Sequence, residues 1–328
     1  MAHELVLIKG NKKQNITQLV GNLAWSSNID ALGVELSFDY AFNDSRYFKS
    51  YDIVDIGDHV ALFNQSKLIS KFIVVDESTS GRFGKSYTGF DYSWYLNKNQ
   101  TVIQFKKIAA SQAIQKLLDK LGIKHNITQI NTLITHIYKG ETVSDIINDI
   151  LEQATQETGH KYRVEMDKDV LTIKKTSDLV INPKVRLSSN TPEFSVVSAI
   201  GIPDWNRSIQ EMKNNILVVN SNEDSTKVIA SAKGADNIKR FGQLTEVVEV
   251  DEKNEAQARN IAKTKLSELN RIEETITLPL LGHDDIRAGR ILNIDEPVTG
   301  IKGKYLIKSA AHTESNGIHL VTVELAVN

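Results

Sequence analysis

The residues of this chain that could do chemistry are its histidines and the carboxylates beside them. The eight histidines are scattered, and no two stand four positions apart as the helical ligands of a zinc protease do. His125, His136 and His160 fall in or near predicted loops, so we interpret the histidines as surface residues. The run His283-Asp284-Asp285 could bind a cation, but three polar residues before a strand are typical of a solvated turn. We therefore predict no metal site and no cofactor.

The triplet Gly84-Lys85-Ser86 resembles the end of a phosphate-binding loop. The complete pattern needs a glycine at position 79, where this chain has Thr79. The pattern also needs a helix whose N-terminus holds the phosphate, whereas the residues from Tyr87 to Phe90 indicate a strand. We therefore predict a hairpin loop at this triplet.

No catalytic constellation is recognisable in the sequence. There is no Gly-x-Ser-x-Gly nucleophile elbow. The adjacent carboxylates Glu273 and Glu274 would point to opposite faces of a strand, so they could not act together on one bond. The absence of cysteine excludes disulfides, thiolate catalysis and cysteine-ligated metal sites. We expect a protein that is not an enzyme.

Two stretches suggest binding instead of catalysis. Residues 90–95 hold four aromatic side chains, which could stack on sugar or single-stranded nucleic acid, but only Lys98 supplies a nearby cation. We favour a plug at a barrel end or an inter-domain seam. Residues 138–147 resemble the start of LysM peptidoglycan-binding domains, although the second strand of that domain is not clear in this chain. Cell-wall binding or degradation through residues 138–175 is thus the alternative function.

The composition is that of a folded protein without a strong overall charge. Of its 328 residues 41% are hydrophobic, and 39 basic against 41 acidic residues leave a net charge of −2. That balance predicts no attraction to nucleic acid or to anionic membranes. We find no signal peptide, and no apolar run approaches the roughly 18 residues of a membrane span. We expect synthesis in a reducing cytoplasm and no membrane insertion.

The elements that would position these residues are mostly short β-strands. Residues 34–40 alternate apolar and polar side chains without exception, which predicts a half-buried strand. Five further short apolar runs lie in the first 90 residues: 5–8, 23–26, 60–63, 72–75 and 87–90. This density of strands is typical of a small barrel or sandwich.

A similar pattern follows two glycines at opposite ends of the chain, Gly57 and Gly289. Apolar residues stand three and five positions after each glycine, and a second β run begins fifteen positions after Gly57 and sixteen after Gly289. We interpret these segments as two related β modules, each opened by its glycine. Because a glycine followed by a β run is common in β proteins, chance resemblance is the alternative.

Helical periodicity replaces the β pattern between these modules. Apolar stripes at residues 110–121 and 143–154 predict two helices, and Thr142 to Asp145 resembles a capping box. Residues 162–173 predict a hairpin, and a third helix is predicted at about 255–270. We predict an α+β, mostly β fold: two related small antiparallel β-barrel modules separated by a small α+β insert domain.

The predicted organisation has four parts. Residues 1–105 form the first β-barrel module, and residues 106–178 form the small α+β domain. Residues 179–250 are a β-rich connecting segment that belongs to the second module or is a separate domain. Residues 251–328 are a helix followed by the second β-barrel module.

The C-terminal third carries a resemblance to a known family. The segments concerned are 241–247, 254–270, 274–278, 286–294 and 303–312. In these segments the chain is similar to the baseplate hub proteins of contractile phage tails and tail-like particles. That group includes the hub of T-even phages, the late control D-like proteins and the PBSX-type prophage hub.

The resemblance implies a structural role. Three subunits, each with two barrels, would close into a pseudo-sixfold ring that joins the hexameric tail tube to the trimeric central spike. The implied partners are two further copies of the chain, the tail tube protein, the central spike protein, baseplate wedge proteins and a tape-measure protein. DNA would pass through the lumen without specific binding, and the lumen would be neutral or acidic. The implied location is the baseplate of a virion or tail-like particle.

Overall fold

The computed structural model describes residues 3–41, 53–80, 84–186, 190–199, 201–220, 227–250, 257–296, 300–315 and 317–327. The protein is mostly β. It divides into two compact units, one formed by Met1–Asp204 with Thr277–Ala326 and the other by Trp205–Ile276. Within the described residues no helix combines the length and the apolar character needed to cross a membrane.

Most of the described elements are strands. The strands of the first half are β1 (Glu4–Lys9), β2 (Lys12–Asn15), β3 (Val20–Asn28), β4 (Val34–Ala41), β5 (His59–Asn64), β6 (Lys67–Ser80), β7 (Gly84–Asp91), β8 (Gln100–Ala109), β9 (His125–Ile127), β10 (Leu133–Thr142), β11 (Tyr162–Asp167) and β12 (Val170–Lys175). The later strands are β13 (Val180–Ile181), β14 (Lys184–Val185), β15 (Phe194–Ser195), β16 (Asp204–Ser208), β17 (Asn215–Asn220), β18 (Val228–Lys233), β19 (Thr245–Val250), β20 (Glu273–Leu281), β21 (Ile291–Glu296), β22 (Ile301–Ser315) and β23 (Ile318–Val327). The α-helices are α1 (Ser93–Lys98), α2 (Ala110–Lys120), α3 (Val143–Thr158), α4 (Ala235–Phe241) and α5 (Ala258–Leu269).

One mostly antiparallel sheet dominates the first unit. Its strands follow the order β20-β23-β22-β3-β4-β7-β6-β5-β1-β2, with β21 beside β22 and β13 beside β21. The path is open, and the described sheets do not close into barrels, so the predicted architecture of two barrel modules is not confirmed. The physical reason is that β3 pairs with β4 along one edge and with β22 along the other, for example Trp25 opposite His312. The edges of β3 and β22 that could have closed the two modules separately pair with each other, and this pairing joins both modules into one sheet.

The alternation in the sequence explains how the sheet builds its core. In β4 the side chains of Leu36, Phe38 and Tyr40 are buried, while the residues between them are not. Phe38 stacks on Tyr87 of β7, with ring centroids 5.3 Å apart. Because successive side chains of a strand point to opposite faces, one face of β4 lies on the core and the other does not. The predicted strand at 34–40 is confirmed.

The insert between β7 and β13 has an apolar core of its own. Its helices α2 and α3 bury the stripes that the sequence predicted, together with residues of β10, β11 and β12. The Thr142 hydroxyl caps α3 by accepting a hydrogen bond from the Asp145 N–H at 3.1 Å. Gly159, in the left-handed region at φ +73°, ends the helix. A single helix lies between β10 and the β11–β12 hairpin, whereas a LysM domain has paired helices.

The second unit is a small sheet covered by a helix. Its strand order is β18-β17-β19, and Ala258 and Ala262 of α5 pack against Ile216 and Val218 of β17. Helix α4 ends at Phe241, and strand β19 begins at Thr245.

Candidate functional site

The two glycines that the sequence singles out begin the same arrangement of backbone hydrogen bonds. Gly57 has φ +88° and Gly289 has φ +84°, values that favour glycine. The Gly57 N–H donates to the Val74 carbonyl, and the Gly289 N–H donates to the Ile307 carbonyl, both at 2.8 Å. In each case the following strand pairs antiparallel with the next one, β5 with β6 and β21 with β22. The same local unit therefore occurs twice, while the role of these glycines in opening two barrels stays a prediction.

The surroundings of the two glycines differ. A Cβ atom at Gly57 would meet no heavy atom of the described residues within 4 Å. A Cβ atom at Gly289 would lie 2.2 Å from Nε of Arg163, which belongs to β11 of the insert. Gly289 thus serves both the turn and the close approach of an arginine, whereas Gly57 serves the turn alone.

Three arginines and a glutamate surround the second turn, and we call Arg163, Glu165, Arg287 and Arg290 the arginine cluster. Arg290 donates Nε–H to Oε2 of Glu165 at 3.1 Å and Nη2–H to Oε1 at 3.0 Å. Arg287 donates to the carbonyl oxygens of Met166 and of Ile69 in β6, at 3.1 and 3.2 Å. Burial acts to raise the pKa of Glu165, but the charge and hydrogen bonds of Arg290 outweigh burial and lower this pKa. The cluster fixes the insert hairpin to the turn.

A second polar group lies in the first unit, and we call His3, Asp284, His312, Glu314 and His319 the histidine–carboxylate cluster. His3 precedes β1 and places its ring between two carboxylates. Its Nδ1 lies 2.9 Å from Oε2 of Glu314, and its Nε2 lies 2.8 Å from Oδ1 of Asp284. His3 and Glu314 are buried, and Asp284 is half-buried. Residues far apart in the sequence therefore meet in one site.

The other two histidines form a chain of hydrogen bonds. Nε2 of His312 lies 2.8 Å from the Ile286 carbonyl, so this nitrogen donates. Its Nδ1 then accepts from Nε2 of His319, at 2.9 Å. The indole of Trp25 stacks on the His312 ring at 4.9 Å with an interplanar angle of 6°. Because the Ile286 carbonyl can only accept, it determines which ring nitrogen of His312 carries the proton, and His312 in turn determines this for His319.

The pKa values of the three histidines separate because their neighbours differ. Burial lowers the pKa of His312 to about 4, and burial together with His312 lowers the pKa of His319. Both rings are therefore neutral at pH 7. Burial also acts to lower the pKa of His3, but the hydrogen bonds and charges of Asp284 and Glu314 raise it above its usual value. Because a carboxylate oxygen accepts, each ring nitrogen of His3 donates a hydrogen bond to the carboxylate beside it.

The interpretation of the histidines as surface residues is wrong for this cluster. His3 and His312 are 1% and 2% exposed, while His136 and His160 are exposed as predicted. The sequence carries one signal that could have found the cluster. His312 and Glu314 stand two positions apart in a strand, and so they share its buried face.

Of the other stretches that the sequence singled out, the run 283–285 contributes Asp284 to this cluster and the rest lie elsewhere. Gly84-Lys85-Ser86 opens strand β7 and is not followed by a helix. Two aromatic residues of the 90–95 stretch, Trp94 and Tyr95, lie half-buried on the short helix α1. In the predicted solvated turn, the carboxylate of Asp285 lies 3.7 Å from Nδ1 of His283. Asp284 alone of these three consecutive residues reaches His3.

The fold matches those of solved phage tail proteins. The 43 kDa tail protein of prophage MuSo2 from Shewanella oneidensis superposes with a TM-score of 0.72 at 14% identity, covering 99% of this chain and 98% of that one. The tail protein from Neisseria meningitidis MC58 gives a TM-score of 0.71 at 14% identity over 100% and 97% of the two chains. The E. coli c3393 protein is a component of the type VI secretion system with structural similarity to T4 bacteriophage tail proteins gp27 and gp5. It gives a TM-score of 0.52 at 10% identity over 99% and 77%. At these identities the likeness establishes a shared fold.

Sequence comparison gives a family. No curated protein matches the chain. The family described as YQBQ-like matches residues 23–326, a range that includes both glycine turns, the insert and most of the histidine–carboxylate cluster. The protein therefore belongs to the YQBQ-like family.

Proposed function

We propose that this chain is the structural hub subunit of a phage tail baseplate or of a tail-like particle. The observation that carries the proposal is the fold match to a prophage tail protein over 99% of this chain and 98% of that one. A match limited to one common domain would support much less, because small β folds serve many functions. The likeness of the type VI component c3393 to two T4 tail proteins also supports a place in the tail.

The hub acts as a trimer in this proposal. The turn and strand pair after Gly57 recur after Gly289, so each chain carries two similarly built segments. Three chains arranged around an axis present six such segments, which lets a threefold ring meet a sixfold one without a symmetry mismatch. The ring joins the hexameric tail tube to the trimeric central spike, and baseplate wedge proteins surround it.

The hub is a conduit and not an enzyme. DNA and the tape-measure protein pass through its lumen, and a conduit must not retain what passes. Several lysine or arginine contacts to phosphate would give strong, salt-sensitive retention. The net charge of −2 supports a lumen that is neutral or acidic. Zymograms on purified cell wall should accordingly show no lysis by this protein.

Light scattering of the purified chain, measured over a range of concentrations, tests the trimer. We expect a mass near three times 36.6 kDa and, by negative-stain electron microscopy, rings with six lobes. A control without the tail tube protein distinguishes spontaneous closure from closure induced by assembly. A stable dimer, or a monomer that forms no ring even when the tail tube protein is added, would contradict the proposal.

A further inference from the structure

Three potential metal-binding side chains converge in the histidine–carboxylate cluster. His3, Asp284 and His319 each offer one ligand atom, and these atoms all lie within 4.8 Å of one another. In a tetrahedral shell with metal–ligand distances of about 2.1 Å, two ligand atoms lie about 3.4 Å apart. Side-chain shifts of about 1.5 Å therefore bring the three atoms to these separations around an ion. His319 and Asp284 are half-buried, so an ion can reach them from solvent.

Each of the three side chains is held by a separate partner behind it. Glu314 binds Nδ1 of His3 at 2.9 Å, and the Asn64 amide donates to Oδ2 of Asp284 at 2.8 Å. Nε2 of His319 donates to His312, which leaves the lone pair of His319 on Nδ1. Metal-binding histidines commonly have a second partner of this kind on the ring nitrogen that does not bind the ion. Carboxylate, amide and imidazole thus orient the three ligands before an ion arrives.

The cluster also holds buried negative charge that an ion would compensate. The Glu314 side chain is only 7% exposed. Its Oε1 atom is buried and has no hydrogen-bond partner among the described residues. Asp284 adds a second carboxylate on the other side of the His3 ring. A buried carboxylate oxygen without a partner is costly, and a nearby cation reduces that cost.

We propose that His3, Asp284 and His319 form a binding site for a first-row divalent cation, with zinc as the ion that best fits two imidazoles and one carboxylate. The site goes beyond the hub role and does not depend on it. As the ion binds, the proton on Nε2 of His3 leaves to solvent, and a water completes a tetrahedral shell. The ion links a residue before β1 to one that lies 281 positions later and to β23.

Calorimetric titration of tag-free, chelator-treated protein with ZnCl₂ tests the site. We expect one zinc per chain. His319→Ala should weaken binding at least tenfold, and Asp284→Asn, which keeps the side-chain shape, should do the same. Glu314→Gln should weaken binding by about ten- to a hundredfold because it acts on the orientation and basicity of His3. The matched control is His160→Ala, which removes an exposed histidine and should leave the affinity unchanged.

Cobalt substitution identifies the ligands independently of affinity. Co²⁺ bound to the wild type should give visible ligand-field absorption that His319→Ala abolishes, with circular dichroism confirming that the variant is folded. If His319→Ala does not fold, Asp284→Asn serves the same purpose. Wild-type protein that takes up no stoichiometric zinc would overturn the proposal, as would either variant binding zinc as tightly as wild type. The cluster would then be an ion-pair network alone.

Discussion

The guanidinium of Arg290 and the carboxylate of Glu165 are joined by two parallel hydrogen bonds, of 3.1 and 3.0 Å, across 125 positions of sequence. The pair ties the turn after Gly289 to the insert hairpin. Its side chains are only 13% and 10% exposed, so solvent screens the interaction weakly. Removal of Glu165 would leave the buried Arg290 guanidinium with a weaker charge partner, Asp285, whose carboxylate lies 3.5 Å away and whose side chain is 54% exposed.

We expect Glu165→Gln to lower the free energy of unfolding by about 3 kcal/mol, the order of magnitude found when one partner of a buried pair is lost. Urea denaturation measures this change. The matched control is Glu193→Gln, because Glu193 pairs with Arg186 at 3.5 Å while both side chains are about half exposed. That control should change stability by less than about 0.5 kcal/mol. Equal effects of the two variants would contradict the role assigned to the buried pair.

Alanine at the two repeated glycines should have unequal effects. Gly57→Ala adds only the strain of a left-handed backbone, about 1 kcal/mol, because no atom of the described residues lies within 4 Å of its Cβ. Gly289→Ala adds the same strain and also displaces Arg163, so we expect a loss larger by about 2 kcal/mol. Thermal and urea unfolding compare the two.

A double variant tests the cause of that difference. In an Arg163→Ala background the clash at Gly289 is removed, so Gly289→Ala should cost about as much as Gly57→Ala does in the wild type. If the larger loss persists in that background, the close approach of Arg163 is not its cause.

Asp91 should make the protein less stable as the pH rises. Its two carboxylate oxygens accept hydrogen bonds from the N–H groups of Ser93 and Val34, both at 2.9 Å. Burial is the largest influence and raises its pKa from 3.8 to about 6. A folded-state pKa above the unfolded value means that the folded protein binds the proton more tightly. The resulting stability is complete below about pH 4 and is lost as the pH rises through 6.

The Asp91→Asn variant isolates this contribution because asparagine does not titrate. Wild-type stability relative to Asp91→Asn should fall by on the order of 3 kcal/mol between pH 4 and pH 7, at about 1.4 kcal/mol for each unit of pKa. Urea unfolding of both proteins at pH 4, 5, 6 and 7 gives the difference. A difference that is constant over this range would show that the carboxyl group has an ordinary pKa.

The cap of α3 should be worth about 1 kcal/mol. Thr142→Ala removes the acceptor of the Asp145 N–H and leaves that donor at the helix end without its partner. Thr142→Ser keeps the hydroxyl and should retain most of the stability. Hydrogen exchange at the first turn of α3 measures this effect locally. If exchange there is as fast in the serine variant as in the alanine variant, the capping role is contradicted.

Elements encoded by neighbouring residues could be predicted well. The start of α3 at Thr142 and the alternation of β4 each depend on residues within a few positions of one another. Helix α4 was missed because its seven residues bury no side chain, so no apolar stripe marked it.

Local residue patterns were enough to specify the short-range units, including two glycine turns whose backbone geometry proves equivalent. The pairing of β3 with β22 is visible only in the folded chain, where it makes one open sheet from segments that alternation alone would let close separately. The same pairing contributes to the burial of His312 and Glu314. His3 contacts Glu314 although the two residues are 311 positions apart in the sequence. Periodicity indicates which face of a strand is apolar, but the identity of the neighbouring strand depends on long-range packing. The residues around a histidine in a strand therefore do not indicate which carboxylate it will contact.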